Sequence, residues 1–299
     1  MDAAPFSSPQ CPVCKSEQVC FALKAKDHTV SGEWFEIWEC HHCLLRFTRN
    51  APDAENIGRY YHSENYISHS NTRKGWLNSL YHRVRNHTLD SKYKLIRSVT
   101  GLNRGEHLDI GAGTGAFVQF MNGKGWRSQG IEPDEAARRV ASSDHRTSLL
   151  PAEAFQTLPL SSFDAISLWH VLEHVHDLHP YLEQIKKLLK PSGAVFIAVP
   201  NYTSYDGMKY KENWAAYDVP RHLYHFSPTS MKYLLDAGGF KLMRMEPMWF
   251  DSFYISLLSE KYATGHASLP GGFLSGAVSN AKALLKKEHC SSLIYVAGK

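Results

Sequence analysis

The sequence predicts an α/β protein: a mostly parallel sheet with helices on both faces, preceded by a small metal-binding ribbon and a helical connector. Three observations carry this reading. From Gly105 onward, short apolar runs alternate with segments of helical periodicity. The run Ala194-Val-Phe-Ile-Ala-Val199 is continuously apolar, as a central parallel strand covered on both faces should be. Four of the six cysteines stand in two C-x2-C pairs near the start of the chain.

The composition sets outer limits. With 299 residues, 43% of them hydrophobic and 21% charged, the chain is globular rather than disordered. A net charge of +4 excludes a strongly basic coat for nucleic acid. No apolar run is long enough for a membrane span, and no basic stretch followed by an apolar one opens the chain. The expected compartment is cytoplasmic, where thiols stay reduced. The paired cysteines then read as ligands.

Residues 1–50 form the ribbon. Cys11, Cys14, Cys40 and Cys43 present four thiolates from two tight turns, the donor set of a closed, structural Zn2+ site. His41 or His42 is the alternative for one thiolate. The aromatic segment Glu33 to Cys40 reads as a strand leading into the second pair. Cys20 and Cys290 have no partner spacing and read as packing residues. Residues 51–100 form a helical connector or lid. From Asn71 to Arg104 it carries eight Lys/Arg against one acid, Asp90, with Leu77, Leu80, Tyr81, Val84, Leu89, Tyr93 and Ile96 at helical spacing.

Residues 101–299 form the third and largest unit. His107-Leu-Asp-Ile110 runs as a strand into Gly111-Ala-Gly113-Thr-Gly115 and a helix, so that backbone amides and a helix N-terminus face a ligand. The glycine spacing alone does not separate a dinucleotide from another nucleoside cofactor. Glu132, at the end of a second strand over 127–131, can accept hydrogen bonds from both hydroxyls of a ribose. A short third strand is expected over 147–150 and a fourth over 163–170. A helix with an apolar stripe at Leu178, Tyr181, Leu182, Ile185, Leu188 and Leu189 follows. Lys190-Pro-Ser-Gly193 then turns the chain into the central strand. Ser227-Pro228 opens a further helix that ends at Gly238-Gly239. The last strands fall at 240–248 and 291–296.

In this order, Leu108-Asp-Ile-Gly-Ala-Gly-Thr-Gly115, the acid at Glu132, Phe163-Asp164 with Trp169-His-Val-Leu-Glu-His-Val175, and Leu189-Lys-Pro-Ser-Gly193 resemble the class I S-adenosylmethionine-dependent methyltransferases. The resemblance implies a Rossmann-like, seven-stranded, mostly parallel sheet with its last strand inserted antiparallel. It implies that Asp109 and the turn of Gly111, Ala112, Gly113 and Gly115 hold the methionine end of S-adenosyl-L-methionine. Glu132, with Pro133 beside it, takes the ribose, and Ala152 and Glu153 lie by the adenine. Trp169 and His170 face the ribose or the sulfonium. Tyr66 and His69 close over the cofactor, while Glu173 and His174 pin the next helix. S-adenosylhomocysteine is the product.

Ligands in such a fold sit beyond the carboxyl ends of the strands, so the acceptor loop is 201–226. It is rich in Trp, Tyr, Arg and His rather than in Gly and Ser. His222 and His225 are the candidate bases for a hydroxyl acceptor, and Tyr217 and Arg221 the candidate positioning groups. The insertion 249–290 joins an aromatic start, a flexible Gly-rich middle and a short basic helix. It walls an apolar pocket or touches a membrane surface peripherally. The expected reaction is methyl transfer to a small-molecule acceptor, favouring oxygen, on a sugar, polyketide-like or lipid-linked metabolite. The alternatives are an RNA methyltransferase that grips phosphates with the ribbon and connector, and a binding protein that keeps the fold without catalysis.

Overall fold

The computed structural model describes residues 10–61, 76–266 and 269–299. The ribbon is a meander of β1 (Val19–Lys26), β2 (Trp34–Cys40) and β3 (Arg46–Arg49). A single 3-10 turn, Ile57–Tyr60, follows, and then one long helix α1 (Trp76–Thr100). Ile96 is the buried centre of its apolar face and packs among Phe117, Met121 and Trp126.

The large unit alternates strand and helix: β4 (Glu106–Ile110), α2 (Ala116–Gly123), β5 (Arg127–Ile131), α3 (Glu135–His145), β6 (Phe163–Trp169), α4 (Leu178–Leu188) and β7 (Leu189–Pro200). The acceptor loop contains α5 (Tyr205–Tyr210) and β8 (Tyr224–His225). It leads to α6 (Pro228–Ala237), β9 (Lys241–Pro247), the helical pair α7 (Asp251–Thr264) and α8 (Leu269–Leu285), and β10 (Ser292–Gly298). The sheet order is β5-β4-β6-β7-β10-β9. The strands β4 to β7 are mutually parallel, and β10 runs antiparallel between β7 and β9.

Two sequence expectations need correction here. The strand expected over 147–150 is reduced to one parallel bridge, Ile131 to Leu150. The backbone before it is spent elsewhere: the Thr147 amide closes α3 on the carbonyl of Ala141. The Gly-rich middle of the insertion is not a flexible loop but the first half of α8. Its glycines make room for α7: a Cβ on Gly272 would stand 2.7 Å from the Leu257 Cα, and one on Gly276 would stand 2.9 Å from the Phe253 Cα. Close helix approach through small residues offsets their poor helix propensity. The outer face of α8 exposes Phe273, Leu274, Leu284 and Leu285. Among the described residues, no helix is long and apolar enough to cross a membrane.

The ribbon is not packed as a separate body. Its sheet is completed by the acceptor loop, in the order β1-β2-β3-β8. Arg46 pairs with His225 and Phe47 with Tyr224, and the Thr48 amide donates to the carbonyl of Leu223. Cys43, Leu45 and Phe47 belong to the same buried cluster as Leu223, Phe226, Leu108, Ile166 and Val199. A side chain strengthens the joint. Arg221, buried in full, reaches Asp27 at 3.1 Å, Asp218 at 2.6 Å and the carbonyl of Tyr60 at 2.8 Å, and it also meets the Thr29 hydroxyl. Asp27 in turn caps the β1–β2 turn by accepting from the amides of Thr29, Val30 and Ser31.

Removing one member of a buried ion pair leaves the other charge uncompensated, at a cost of about 3–5 kcal/mol. Arg221→Met should therefore lower unfolding stability by about that amount. Denaturant titration reads it, and a change under about 1 kcal/mol would show that the clamp is immaterial.

Candidate functional site

The sheet carries its chemistry at the carboxyl ends of β4, β5 and β6. Where β4 ends, Gly111, Gly113 and Gly115 all have positive φ (70°, 54° and 77°). These angles suit glycine and turn the chain into α2. The amides of Gly111 and Ala112 donate to the carbonyl of Ile131, which fixes the turn against β5. Gly113 has nothing within 4 Å of where a Cβ would stand, so this side of the turn is open to a ligand. Gly111 is the opposite case, because a Cβ there would collide with Val171. Asp109 is buried and accepts a 2.5 Å hydrogen bond from Ser167. Burial raises its pKa to about 6.

Glu132 accepts from the amides of Gly113 (2.7 Å) and Asp134 (2.9 Å). Pro133 follows in the same turn, before α3. Ala152 and Glu153 open an exposed 3-10 turn just after Leu150. Trp169 lies edge-on to Phe117 at 5.7 Å, and its indole nitrogen is buried without a partner. These groups fit S-adenosylmethionine: an open glycine turn that could take the methionine end, a carboxylate beside it that could take the ribose, and an indole nitrogen at the end of β6 on the other side. Tyr66 and His69 lie outside the described residues.

His170 is held differently from expectation. Its φ is 58°, its Nε2 lies 2.8 Å from Asp251 and its Nδ1 lies 3.3 Å from Glu173. Burial pulls its pKa down, but the Asp251 and Glu173 carboxylates outweigh this and hold it at about 10. At neutral pH it is an imidazolium. Lys92 of α1 lies over the Trp169 ring at 4.2 Å. Burial lowers its pKa to about 8, against the pull of Asp109 and Asp251.

Sequence reading missed Lys92 and Asp251. Lys92 is a charged residue one step from Tyr93 on the buried stripe of α1. Asp251 is the one acid in the aromatic run 249–254. Each breaks an apolar pattern, which is the signal that was available.

The four acceptor-loop candidates do not converge. Arg221 is consumed by the clamp to Asp27 and Asp218. The Tyr217 hydroxyl accepts from Arg46 at 2.7 Å. His225 lies in β8, its Nε2 3.1 Å from the Thr48 hydroxyl, its ring against Tyr217, and its pKa well below the ordinary value because it is buried. All three sit inside the ribbon–loop joint, because pairing of β8 with β3 turns this part of the loop inward. His222 alone of the four keeps part of its side chain open, at 11%. Its Nδ1 donates to the carbonyl of Ala216 at 2.8 Å, which leaves Nε2 with a lone pair.

In the ribbon, the sulfurs of Cys11 and Cys43 are 3.5 Å apart, as are those of Cys14 and Cys40, and all four lie within 4.8 Å of one another. A tetrahedral Zn2+ with bonds of about 2.3 Å needs sulfurs about 3.8 Å apart. The cluster fits that ion. His41 turns instead to Cys20, at 3.0 Å.

This geometry defines a protein class: an α/β sheet with a glycine turn and a buried acid at the carboxyl end of one strand and a second acid at the end of its neighbour. A family profile described as a methyltransferase domain matches residues 81–244. The chain belongs to this methyltransferase-domain family, of the class I S-adenosylmethionine-dependent type. Among curated relatives, the mitochondrial ubiquinone biosynthesis O-methyltransferase of Bos taurus is 25% identical over 165 residues, covering 49% of this chain and 44% of that protein. The tRNA U34 carboxymethyltransferase of Shewanella loihica is 34% identical over 98 residues, 30% of each. The chain thus spans less than half the length of these curated relatives. The solved geranyl diphosphate C-methyltransferase of Streptomyces coelicolor shares the fold at 13% identity and a TM-score of 0.50, covering 82% of this chain and 89% of that one.

Two predictions follow from the charges. Loss of a carboxylate that accepts ribose hydrogen bonds costs about 1.5–3 kcal/mol. Glu132→Ala should therefore weaken S-adenosylmethionine binding at least ~10-fold by calorimetry, and unchanged affinity would remove Glu132 from the ribose site. His170, whose folded pKa of about 10 lies above the ordinary 6.5, contributes stability that is complete below pH 6.5 and is lost as pH rises through 10. The melting-temperature gap between the native chain and His170→Gln should narrow over that window. A gap that stays constant would contradict the Asp251–His170–Glu173 pairing.

Proposed function

We propose that this protein transfers the methyl group of S-adenosylmethionine to a hydroxyl oxygen of a small-molecule acceptor, a sugar, polyketide-like or lipid-linked metabolite. We also propose a structural Zn2+ on Cys11, Cys14, Cys40 and Cys43. The observation that carries the acceptor reading is His222. It stands where the acceptor loop meets the segment after β6, and its Nδ1 is pinned to a carbonyl so that Nε2 is free to accept a proton.

S-adenosylmethionine, when bound, supplies a methyl carbon on a positively charged sulfur. Asp109 would hold its methionine end and Glu132 its ribose, and the loop would align the acceptor in line with the methyl carbon. The acceptor hydroxyl would give its proton to His222 Nε2 as its oxygen takes the methyl group, and the electron pair of the C–S bond would stay on sulfur, leaving S-adenosylhomocysteine.

The RNA reading has less support, because two of the basic side chains it would use are turned to the protein: Lys92 faces Trp169, and Arg46 of the ribbon binds Glu39 and Tyr217.

Incubation with methyl-labelled S-adenosylmethionine and a panel of hydroxylated sugars, polyketides, lipids and tRNA tests the reading. Transfer to a small hydroxylated compound is expected. His222→Ala should leave cofactor affinity unchanged and lower kcat by about 10²–10⁴-fold, the range for a general base. Unchanged turnover in that variant, or labelling of tRNA alone, would overturn the reading.

A further inference from the structure

Directly after β6 lies a cluster that methyl transfer by itself does not require. Glu173 is wholly buried, and its Oε2 makes no hydrogen bond. Its Oε1 meets a ring nitrogen of His170 at 3.3 Å. The other nitrogen of that ring lies 2.8 Å from Asp251, so one imidazole serves two carboxylates. A buried carboxylate with unfilled acceptor capacity is costly unless a cation or donor completes it.

Two imidazoles face the same point. One ligand atom each from Glu173, His174 and His222 lie within 4.8 Å of one another. The two rings meet edge to face at 4.6 Å. Both have the same backbone arrangement behind them. His174 Nδ1 lies 3.0 Å from the carbonyl of Arg221, and the Tyr61 hydroxyl is also 3.0 Å away. His222 Nδ1 lies 2.8 Å from the carbonyl of Ala216. A carbonyl only accepts, so the proton of each ring is on Nδ1 and the lone pair is on Nε2. Histidines that ligate metals are oriented in this way, with the second nitrogen donating to a carbonyl or carboxylate. Asp218 Oδ2, 3.9 Å from His222 Nε2, stands behind the cluster as a further acid.

We infer that Glu173, His174 and His222 form a second metal site, separate from the four cysteines, for a divalent transition cation such as Zn2+. Two imidazole nitrogens and one carboxylate are a donor set for such ions, with bonds of about 2.0–2.2 Å. Three protein ligands leave a coordination position open for water. The ion would complete Glu173 and take the Nε2 lone pair of His222, so that bound metal and proton transfer to His222 would exclude one another. This exclusion rests on the methyl-transfer reading; binding of the ion does not.

Zinc content after dialysis against micromolar Zn2+, without cofactor or acceptor, tests the site. The native chain should hold one equivalent more than Glu173→Gln and one more than His222→Gln. Both variants should keep the ion of the four cysteines and an unchanged far-ultraviolet circular dichroism spectrum, which shows that they are folded. Equal zinc content in the native chain and folded Glu173→Gln overturns the inference, whatever the methyl-transfer assay shows. A lost equivalent together with absent S-adenosylmethionine binding would keep the site and refute the methyl-transfer reading instead.

Discussion

Backbone pairing between β3 and β8 is the constraint on which the acceptor side depends. Two residue pairs join the segments, Arg46 with His225 and Phe47 with Tyr224, supported by the hydrogen bond from Thr48 to Leu223. This short ladder turns the ribbon from an appendage into one wall of the large unit. It also sets which loop side chains point inward. His225 and Tyr217 become contacts of Thr48 and Arg46, while His222 stays at the edge. The buried Arg221 clamp repeats the same joint in side-chain chemistry, because it links the β1–β2 turn, the chain at Tyr60 and the acceptor loop.

On the cofactor side, the governing quantity is buried charge. Asp109 and Glu173 are acids removed from water, Asp251 is half-buried, and Lys92 and His170 are the cations set among them. Each shift has a plain origin. Burial raises the Asp109 pKa and lowers that of Lys92, whereas two flanking carboxylates keep His170 protonated. A cationic substrate part meets a surrounding that is already near balance, and the glycine turn beside Glu132 provides the neutral, hydrogen-bonding part of the site.

Most of the large unit was legible in the sequence because its signals are local. Strand ends, the glycine turn and the apolar stripe of α4 are each set within a few residues. The four-cysteine cluster was legible for the same reason, since its spacing fixes its geometry. The loop residues were not. Tyr217, Arg221 and His225 have the side chains of a catalytic loop, and only contacts with residues 171 to 194 positions earlier in the chain place them in the ribbon–loop joint. Asp27, the partner of Arg221, looks like any turn acid in the sequence. Glu173 and His174 read as helix anchors until a histidine nearly fifty residues later is seen beside them. Long-range pairing carries no local periodicity, and this is where residue type misled.

The β3–β8 ladder also bears on the order in which the molecule can assemble. Synthesis proceeds from the N-terminus, so the ribbon strands emerge well before their fourth partner. Until residues 224–225 arrive, β3 has a bare edge, a surface on which strands of other chains can add. Arg46 and Arg49 on this short strand supply the kind of charge that discourages such addition. The four parallel strands β4 to β7 emerge while that edge waits, and completion of the acceptor side is left to a late, non-local closure.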